Sequence, residues 1–261
     1  MKSCVPRRKL SAVIIAKNEA ERIEDCLRSV SWADEIVVVD SGSTDATCTI
    51  ARRYTDRVQM LPWLGFGPQK QAAVDLASHD WILSIDCDER VTPELAEEIL
   101  VILTVDKPMS AYTVPRRTFI GNKEIKYCGW YPDRTVRLFD RTKARFSESI
   151  VHEVVVVNGR QSDCRNDLLH FSFASINDML PKMQRYSELA ARQMFSQGRR
   201  CRVFDLTVRP LAAFFKTYLL KAGLLDGVEG LAISVTTAVL AFLKYVRLRE
   251  MQLEKNIEIN S

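Results

Sequence analysis

The stretch Trp81-Ile-Leu-Ser-Ile-Asp-Cys-Asp-Glu89 runs from an apolar segment directly into three acidic side chains. Its first part, residues 81–85, has the β-branched and aromatic composition of a buried strand. The acids stand where that strand ends, so they form either a solvated turn or the edge of a functional site. The residues on both sides of the stretch bear on this choice.

A helix start follows the acidic turn. Thr92 is a good N-cap, Pro93 suits the first helical position, and Glu94 interacts favourably with the positive end of a helix. Asp86 and Asp88 precede this cap and are not needed for it. They therefore remain candidates for a chemical role.

Three strand-plus-helix units lead up to this stretch. Each consists of an apolar, β-branched run followed by a segment of helical period. This alternation predicts an α/β fold with a mostly parallel sheet and helices on both faces. The predicted strands are residues 10–16, 35–39, 57–61 and 81–85, and the predicted helices are residues 20–29, 45–54 and 69–77.

Ligands of such sheets bind beyond the carboxyl ends of the strands. This rule brings Lys17-Asn-Glu19, Asp40-Ser-Gly-Ser-Thr-Asp45 and Asp86-Cys-Asp-Glu89 to one edge, although they are far apart in sequence. The second segment is also compatible with a tight turn alone, in which Ser43 or Thr44 caps the following helix. The sequence therefore predicts an acidic site at the edge of the sheet.

The pattern changes after Pro108 to short extended segments separated by turns. Strands are predicted at residues 111–115, 135–139 and 150–157, with a turn at Gly121 and Asn122, and helix resumes at about Ser175. We expect a domain at residues 1–172 that includes this small β section. A helical region at residues 173–261 follows it.

Composition and charge exclude several classes of protein. The chain is 47% hydrophobic and 27% charged, and its net charge of +4 is too small to indicate nucleic-acid binding. No G-x-G-x-x-G follows the first strand and no G-x-x-x-x-G-K-[ST] is present, which disfavours a dinucleotide cofactor and a P-loop nucleotidase. Residues 182–221 contain nine basic and two acidic side chains, so the positive charge is concentrated there.

The cysteines and the N-terminus predict a cytoplasmic protein. Seven cysteines are scattered without a C-x-x-C pair, which favours reduced thiols. The basic start, residues 1–9, is followed by an apolar run that stops at Lys17, so it lacks the form of a signal peptide.

The motifs at the sheet edge resemble those of the family 2 glycosyltransferases with the GT-A fold. Ala16-Lys-Asn-Glu19, Val38-Val-Asp-Ser-Gly-Ser-Thr-Asp45 and Asp86-Cys-Asp-Glu89 occur in the order and spacing of that family. Tyr131-Pro-Asp-Arg-Thr-Val-Arg-Leu-Phe139 and Val151-His-Glu153 are similar to the branch of lipopolysaccharide core β-glucosyltransferases. The resemblance covers roughly residues 9 to 250 and implies a GT-A, Rossmann-like fold.

The resemblance also implies roles for individual residues at the donor site. Asp40 and Glu19 match positions that contact the nucleotide, and Asp86 with Asp88 match the D-x-D motif. In that motif the first acid usually touches the ribose and the second binds Mg²⁺ or Mn²⁺ on the diphosphate. Hard cations of this kind take few protein carboxylates and complete their shell with phosphate oxygens and water. The implied donor is a nucleotide sugar, with UDP-glucose expected.

Lys70 lies in a Gly-rich segment, residues 65–70, at a predicted helix start. There a cation and backbone N–H groups could hold a phosphate or a base edge, although a surface lysine is also a common feature. The segment matches a similar one in the family branch. Lys70 is therefore a candidate for donor binding.

Inversion at a sugar requires one carboxylate that removes the proton of the acceptor hydroxyl. The candidates, in order, are Glu153, Asp133 and Glu89. His152 is a candidate metal ligand or a structural histidine. Because neighbouring residues of a strand face opposite sides, His152 and Glu153 can both point into the site only if a loop or bulge lies there.

Other polar residues of this region have less specific interpretations. Arg134, Arg137 and Arg141 could meet phosphate groups of an acidic acceptor or of the donor, or they could form a solvated face. We interpret His79 and His170 as structural.

The C-terminal part has a membrane-like pattern. Residues 204–227 are strongly apolar with Arg209, Lys216 and Lys221 spaced along them, which is typical of a helix lying in a membrane surface. A core or dimer-interface helix is the alternative. Residues 231–243 are uncharged but shorter than the ~20 residues that span a bilayer, so we expect a second docked helix there.

Together these observations predict an inverting, metal-dependent glycosyltransferase of the cytoplasm, peripheral on the inner face of the cytoplasmic membrane. It would move a hexose, with glucose expected, from a nucleotide sugar to a lipopolysaccharide core or related glycolipid acceptor. A nucleotidyltransferase, which releases pyrophosphate, and a catalytically degenerate membrane scaffold are the alternatives.

Overall fold

The computed structural model of the chain describes residues 6–147 and 153–260. They form two compact units. The first comprises the described residues up to Arg117 together with Pro132–His170, and the second comprises Thr118–Tyr131 and the described residues from Phe171 onward. A domain boundary after residue 172 stays a prediction.

Twelve strands and seven α-helices make up the described part of the chain. The strands are β1 (Leu10–Ala16), β2 (Glu35–Asp40), β3 (Val58–Met60), β4 (Trp81–Asp86), β5 (Glu89–Val91), β6 (Ala111–Ile120), β7 (Lys123–Ile125), β8 (Asp133–Asp140), β9 (Ala144–Phe146), β10 (Val155–Val157), β11 (Gln161–Asp163) and β12 (Leu168–Phe173). The helices are α1 (Ile23–Ser29), α2 (Thr47–Ala51), α3 (Phe66–Leu76), α4 (Pro93–Ile102), α5 (Ile176–Ser196), α6 (Val203–Phe215) and α7 (Val228–Asn260).

The main sheet has the strand order β3-β2-β1-β4-β8-β6-β12-β5. Its first four strands are parallel, as their helical connections require. β8 is antiparallel to β4 and to β6, and β5 is antiparallel to β12. The predicted α/β class is therefore confirmed, with a parallel half that is extended by antiparallel strands.

Alternate residues of the parallel strands enter two different apolar clusters. Ile14 lies in one cluster with Leu27 of α1 and Leu95 of α4. Its neighbour Val13 lies in the other cluster with Val74 of α3. Because successive side chains of a strand point to opposite faces, the helices cover both faces of the sheet, as predicted.

The predicted helix starts at Thr92 and Ser175 are confirmed, and the predicted cap at Ser43 or Thr44 is wrong. The Thr92 hydroxyl accepts a hydrogen bond from the Leu95 N–H at 3.2 Å, and Ser175 is the N-cap of α5. The helix after β2 begins only at Thr47 and has no side-chain cap, so neither Ser43 nor Thr44 caps it. Hydrogen bonds to the neighbouring loop occupy those two residues instead.

The predicted β section is present with changed boundaries. β6 and β8 are longer than predicted, and Gly121 and Asn122 form the turn between β6 and β7, with Ile120 paired to Lys123. Residues 148–152 of the segment around the strand predicted at 150–157 lie outside the described residues. The described end of that segment contains β10, which pairs with β9.

The second unit differs from its prediction in the continuity of its helices. The segment 204–227 is not one helix, because α6 passes into a π-helical turn, Lys216–Leu220, and the chain then breaks at Ala222 with φ +53°. Residues 231–243 lie within the much longer α7. Val228–Lys255 is the one helix in the described part of the chain whose length and composition suit a membrane span.

Candidate active site

The carboxyl ends of β1, β2 and β4 lie side by side. Ala16 pairs with Asp40, and Ile15 pairs with Asp86. The loops that follow these strands therefore start at one edge of the sheet. This places the three acidic segments singled out in the sequence next to one another.

Hydrogen bonds join the loop after β1 to the loop after β2. The backbone N–H of Asn18 donates to the Ser43 hydroxyl at 2.8 Å, and the side-chain oxygen of Asn18 accepts from the Thr44 N–H at 2.8 Å. The backbone N–H of Glu19 donates to the Thr47 hydroxyl at 2.8 Å. These polar side chains hold the two loops in register, which fixes the position of Glu19.

Asp40 shapes its own loop. Its carboxylate is fully buried and accepts hydrogen bonds from the backbone N–H groups of Gly42 and Ser43, at 2.9 and 2.8 Å, and from the Ser43 hydroxyl. Gly42 has φ +89°, a conformation that side chains disfavour. The contact of Asp40 with a nucleotide stays a prediction.

Asp86 lies between two buried cations. Lys70 Nζ is 2.8 Å from one of its carboxylate oxygens, and a terminal nitrogen of Arg137 is 2.7 Å from the other. Burial opposes ionisation, but the positive charges of Lys70 and Arg137 outweigh it and hold the pKa of Asp86 far below its usual range. Asp86 is therefore a fixed, ionised acceptor.

Lys70 also connects the D-x-D segment to a predicted base. Its Nζ is 3.2 Å from a carboxylate oxygen of Glu153, and the residue is only 4% exposed. A solvent-facing lysine is thus excluded for this position. The Lys70 ammonium group therefore contacts the carboxylates of both Asp86 and Glu153, which are far apart in sequence.

A second set of ion pairs continues from Arg137. The same terminal nitrogen of Arg137 lies 2.6 Å from the fully buried Glu89, and Glu89 also pairs with Arg116 at 3.2 Å. Arg116 in turn pairs with Asp133. The Nε atoms of Arg116 and Arg137 are buried without a hydrogen-bond partner among the described residues.

These contacts form one alternating chain of charges, which we call the charge chain. It consists, in order, of Glu153, Lys70, Asp86, Arg137, Glu89, Arg116 and Asp133. The two predicted bases Glu153 and Asp133 stand at its two ends. Glu89, the third candidate, lies in its buried interior and presents no accessible oxygen, because Arg137, Arg116 and the Asp86 N–H contact it.

Asp88 lies in a different electrostatic environment from Asp86. The imidazole Nε2 of His170 is 3.5 Å from its carboxylate. The pKa of the nearby Glu19 is raised, mainly by burial. The positive charge of Arg22 opposes this effect, and the negative charges of Asp88, Asp45 and Asp86 add to it. The negative charges of Asp88 and Glu19 are therefore close enough to interact.

The donor set at Asp88 suits a hard divalent cation that is shared with phosphates. Such a cation needs only one or two protein ligands, and both carboxylate oxygen and imidazole nitrogen are acceptable to Mn²⁺. No group of three or more metal-ligating side chains occurs among the described residues, so an all-protein metal cage is not present there. His152, the other predicted ligand, lies outside the described residues.

The remaining arginines of the sequence analysis have structural contacts. Arg141 donates to the backbone carbonyls of Val74 and Ala77 at the end of α3, and Arg134 donates to the carbonyl of Cys164 at 3.0 Å. The bridging role of Arg137 was not recognised in the sequence. Its one signal is a charge between two apolar residues of a predicted strand.

The fold and the site thus define an α/β protein with a compact set of acidic and basic side chains at the carboxyl ends of parallel strands. The model of the family "Glycosyl transferase family 2" matches residues 11–159. The chain therefore belongs to glycosyl transferase family 2.

Curated relatives cover nearly the whole chain. The lipopolysaccharide core biosynthesis glycosyltransferase LpsC of Rhizobium meliloti (strain 1021) is 34% identical over 251 residues, which are 92% of this chain and 91% of LpsC. An uncharacterized glycosyltransferase of Rickettsia conorii is 32% identical over 262 residues, covering 95% of this chain and 93% of the relative.

Solved structures show a more distant similarity. Residues 1–349 of S. aureus TarS align with a TM-score of 0.49 and 16% identity, over 95% of this chain and 92% of that chain. Glucosyl-3-phosphoglycerate synthase of Mycobacterium tuberculosis, in complex with Mn²⁺, UDP-glucose and phosphoglyceric acid, aligns with a TM-score of 0.35 and 26% identity, over 44% of each chain.

Proposed function

We propose that the protein is an inverting glycosyltransferase that moves glucose from UDP-glucose to a lipopolysaccharide core or related glycolipid. The observation that carries this proposal is the similarity to LpsC, which extends over 92% of this chain. A glycolipid acceptor implies that the enzyme works as a peripheral protein at the inner face of the cytoplasmic membrane. The sugar, the nucleotide and the acceptor position are the parts that an experiment must decide.

The donor would lie across the edge of the sheet. We assign nucleotide contacts to Asp40, Glu19 and Asp86, with Lys70 on the diphosphate side. The burial of Lys70 beside Asp86 supports a place in the site. Because Lys70 and Arg137 already neutralise Asp86, its oxygens are suited to accept hydrogen bonds from a ribose.

Asp88 would hold the divalent cation, Mg²⁺ or Mn²⁺. The proximity of the Asp88, Glu19 and Asp86 carboxylates supports this assignment, and His170 is the described imidazole beside Asp88. When bound, a divalent cation would neutralise the negative charge that develops on the departing diphosphate. Without such a cation, Asp88 and Glu19 would repel the two phosphates.

We assign the base to Glu153, with Asp133 as the alternative. Glu153 would accept the proton of the acceptor hydroxyl as that oxygen attacks the anomeric carbon. The bond from that carbon to the diphosphate oxygen breaks on the opposite face, so the configuration inverts and a nucleoside diphosphate leaves. The link between Glu153 and the D-x-D segment through Lys70 supports this choice.

The first test is calorimetric binding of UDP-, GDP-, ADP- and dTDP-sugars, with Mn²⁺ and with a chelator. We expect tight binding of UDP-glucose that requires the metal. Transfer assays would then identify the products on lipopolysaccharide core acceptors by anomeric NMR. The variant Asp88→Asn should weaken this metal-dependent binding. Asp56→Asn, on the surface of the same unit, is its matched control, because each substitution removes one carboxylate.

Each outcome has a clear meaning. Metal-dependent binding of one donor and release of a nucleoside diphosphate with an inverted glycoside would support the proposal. Release of pyrophosphate would instead identify a nucleotidyltransferase. Absence of donor binding under every condition would leave the degenerate scaffold as the better account.

A further inference from the structure

One face of α7 is apolar and exposed. From 228 to 246 the exposed side chains are Val228, Leu231, Val235, Val239 and Phe242. Their spacing of three or four residues puts them on one stripe of the helix. Soluble proteins rarely expose contiguous apolar stripes of this length, so the face is suited to a partner.

The opposite face of α7 is packed against protein. Ile233, Tyr245 and Leu248 are buried, the last two in a cluster that also contains residues of α5 and the segment before α6. A spanning helix would have to be surrounded by lipid or by other spanning helices, whereas α7 is covered by protein on one side only. Its geometry is that of a helix lying on a surface.

The segment before α7 extends the exposed apolar surface. Leu220 is 84% exposed and Val228 is 75% exposed, and Leu225 lies between them with most of its side chain in solvent. On α6, Leu211 and Phe215 are likewise exposed one turn apart. We call this set, together with the stripe on α7, the C-terminal apolar surface.

The exposed charges of the segment 197–228, next to this surface, have one sign. From 197 to 228 every exposed charged side chain is basic. The exposed bases are Arg199, Arg200, Arg202, Arg209, Lys216 and Lys221.

The two acids of the same segment are turned inward. Asp205 and Asp226 are both buried. Asp226 accepts hydrogen bonds from the backbone N–H groups of Lys126 and Tyr127, at 3.0 and 2.9 Å, and Asp205 pairs with Arg209. Burying both acids leaves the segment with a uniformly positive surface.

We propose that the C-terminal apolar surface docks on an anionic lipid bilayer, with its apolar side chains at the acyl boundary and its bases on the headgroups. The inference deepens the proposed function, on which it rests for the lipid-linked acceptor. Apolar burial and attraction to anionic headgroups act together in such helices. Lys and Arg side chains are long enough to reach headgroups while their stems lie along apolar surface.

A second copy of the chain is a poorer occupant. A two-fold dimer buries the same patch of both copies. The exposed bases of one copy would then approach those of the other, and like charges at an interface oppose association. An anionic bilayer neutralises these charges instead.

The test is flotation of the full chain with vesicles that contain no acceptor. One set is made of phosphatidylcholine alone and the other of phosphatidylcholine with phosphatidylglycerol. We expect binding to the anionic vesicles, weakened by raised salt, and little binding to the neutral ones.

Two variants separate the contributions. Arg199→Gln with Arg200→Gln and Lys216→Gln should weaken binding to anionic vesicles about a hundredfold, since each base near such a surface contributes about fivefold. Leu220→Ser with Val228→Ser should weaken it at least about tenfold by removing apolar burial. Both sets are exposed, so the fold should be retained.

Matched controls lie in the first unit. Arg52→Gln with Arg53→Gln removes exposed bases, and Val101→Ser removes an exposed apolar side chain. These should leave vesicle binding unchanged. Equal binding to both kinds of vesicle, equal effects of variants and controls, or a dimer that Leu220→Ser with Val228→Ser dissociates would overturn the proposal.

Transfer to a deacylated, soluble acceptor is measured in parallel. Variants of the C-terminal apolar surface should retain it, because the acceptor then needs no membrane. Loss of vesicle binding with intact transfer to the soluble acceptor supports docking as a separate step. Vesicle binding without transfer to any acceptor would refute the proposed function and leave the docking surface standing.

Discussion

The two units of the chain depart from the usual distribution of side chains in different ways. The first unit buries charge, since Lys70, Arg137 and Glu89 lie almost wholly inside it. The second unit exposes apolar side chains such as Leu220 and Val228. Buried charges and large exposed apolar patches are the informative exceptions to the normal pattern of burial.

The difference supports the proposal that each unit binds a different kind of partner. Buried charges lose hydration, so they persist where each has an opposite charge nearby and where their geometry serves a polar ligand. Exposed apolar side chains contribute little to folding and become stabilising only when a partner covers them. This agrees with the proposals that the first unit binds a charged small molecule and that the second docks on a bilayer.

The largest expected effect is on the end of the charge chain that contains Glu153. Glu153→Gln keeps a hydrogen-bonding group beside Lys70 but removes the base. We expect kcat to fall about 10²–10⁴-fold, the usual contribution of a general base, with donor binding retained. Steady-state kinetics and donor calorimetry measure the two quantities separately.

Asp133→Asn is the matched variant at the other end of the charge chain. A larger loss of kcat in Asp133→Asn than in Glu153→Gln would move the base to Asp133. Equal and small losses in both variants would show that neither carboxylate is the base.

The next effect tests the buried interior of the charge chain. Arg137→Met leaves Glu89 and Asp86 without a shared cation. We expect the free energy of unfolding to fall by about 3–5 kcal/mol, because two carboxylates of this buried interior each lose one of their two cationic partners. Urea denaturation measures this change, with the exposed Arg52→Met as control. A loss no greater than that of Arg52→Met would mean that the charge chain is not a unit of stability.

A third prediction sharpens the contrast between the two acids of the D-x-D motif. Asp88→Asn should lower the affinity for a UDP-sugar in Mn²⁺ about 10–10²-fold, since an interaction with a charged group contributes about 1.5–3 kcal/mol. In chelator, wild type and variant should bind equally weakly. Calorimetry decides this, and Asp56→Asn should behave as wild type.

Much of the fold could be predicted because its signals are local. The apolar runs of β1, β2 and β4, and the helix starts at Thr92 and Ser175, depend on residues close together in sequence. The start of α3 was placed too late because the chain turns into that helix at Gly65, whose φ of +98° no local periodicity reveals.

The length of α7 depends on contacts that are distant in sequence. The uncharged run on which its prediction rested ends at Lys244. The helix nevertheless continues, and its next turns contain Tyr245 and Leu248, which are buried in a cluster with Met194 of α5. The prediction of a short helix was therefore wrong, because the second half of α7 is stabilised by tertiary packing that local composition does not reveal.

The charge chain could be predicted only in part. The acids after β4 stood out because they interrupt an apolar pattern. Lys70 and Glu153 are 83 positions apart, and Arg137 and Asp86 are 51 apart, so no local pattern shows that they meet. Whether a lysine is a surface charge or a buried bridge depends on these distant contacts.

The smallest expected effect concerns a buried acid of the second unit. Asp205 is a first-turn residue of α6, and it accepts a hydrogen bond from the Arg202 N–H at 2.9 Å. Burial opposes its ionisation, but that hydrogen bond and Arg209 outweigh burial and lower its pKa below the ordinary value of 3.8. Asp205→Asn should lower the free energy of unfolding near neutral pH by about 1 kcal/mol, the usual magnitude for a helix-start interaction.

The sign of the pH dependence follows from the lowered pKa of Asp205. The unfolded chain binds the proton first as pH falls, so the stabilisation is fully present above the unfolded value and is lost as pH falls through the folded pKa. In urea denaturation, the difference between wild type and Asp205→Asn should therefore shrink on acidification, whereas the exposed Glu250→Gln should show little difference at any pH. A constant difference would mean that shape rather than charge makes Asp205 useful, and that burial of acids in the second unit serves the fold rather than the positive surface.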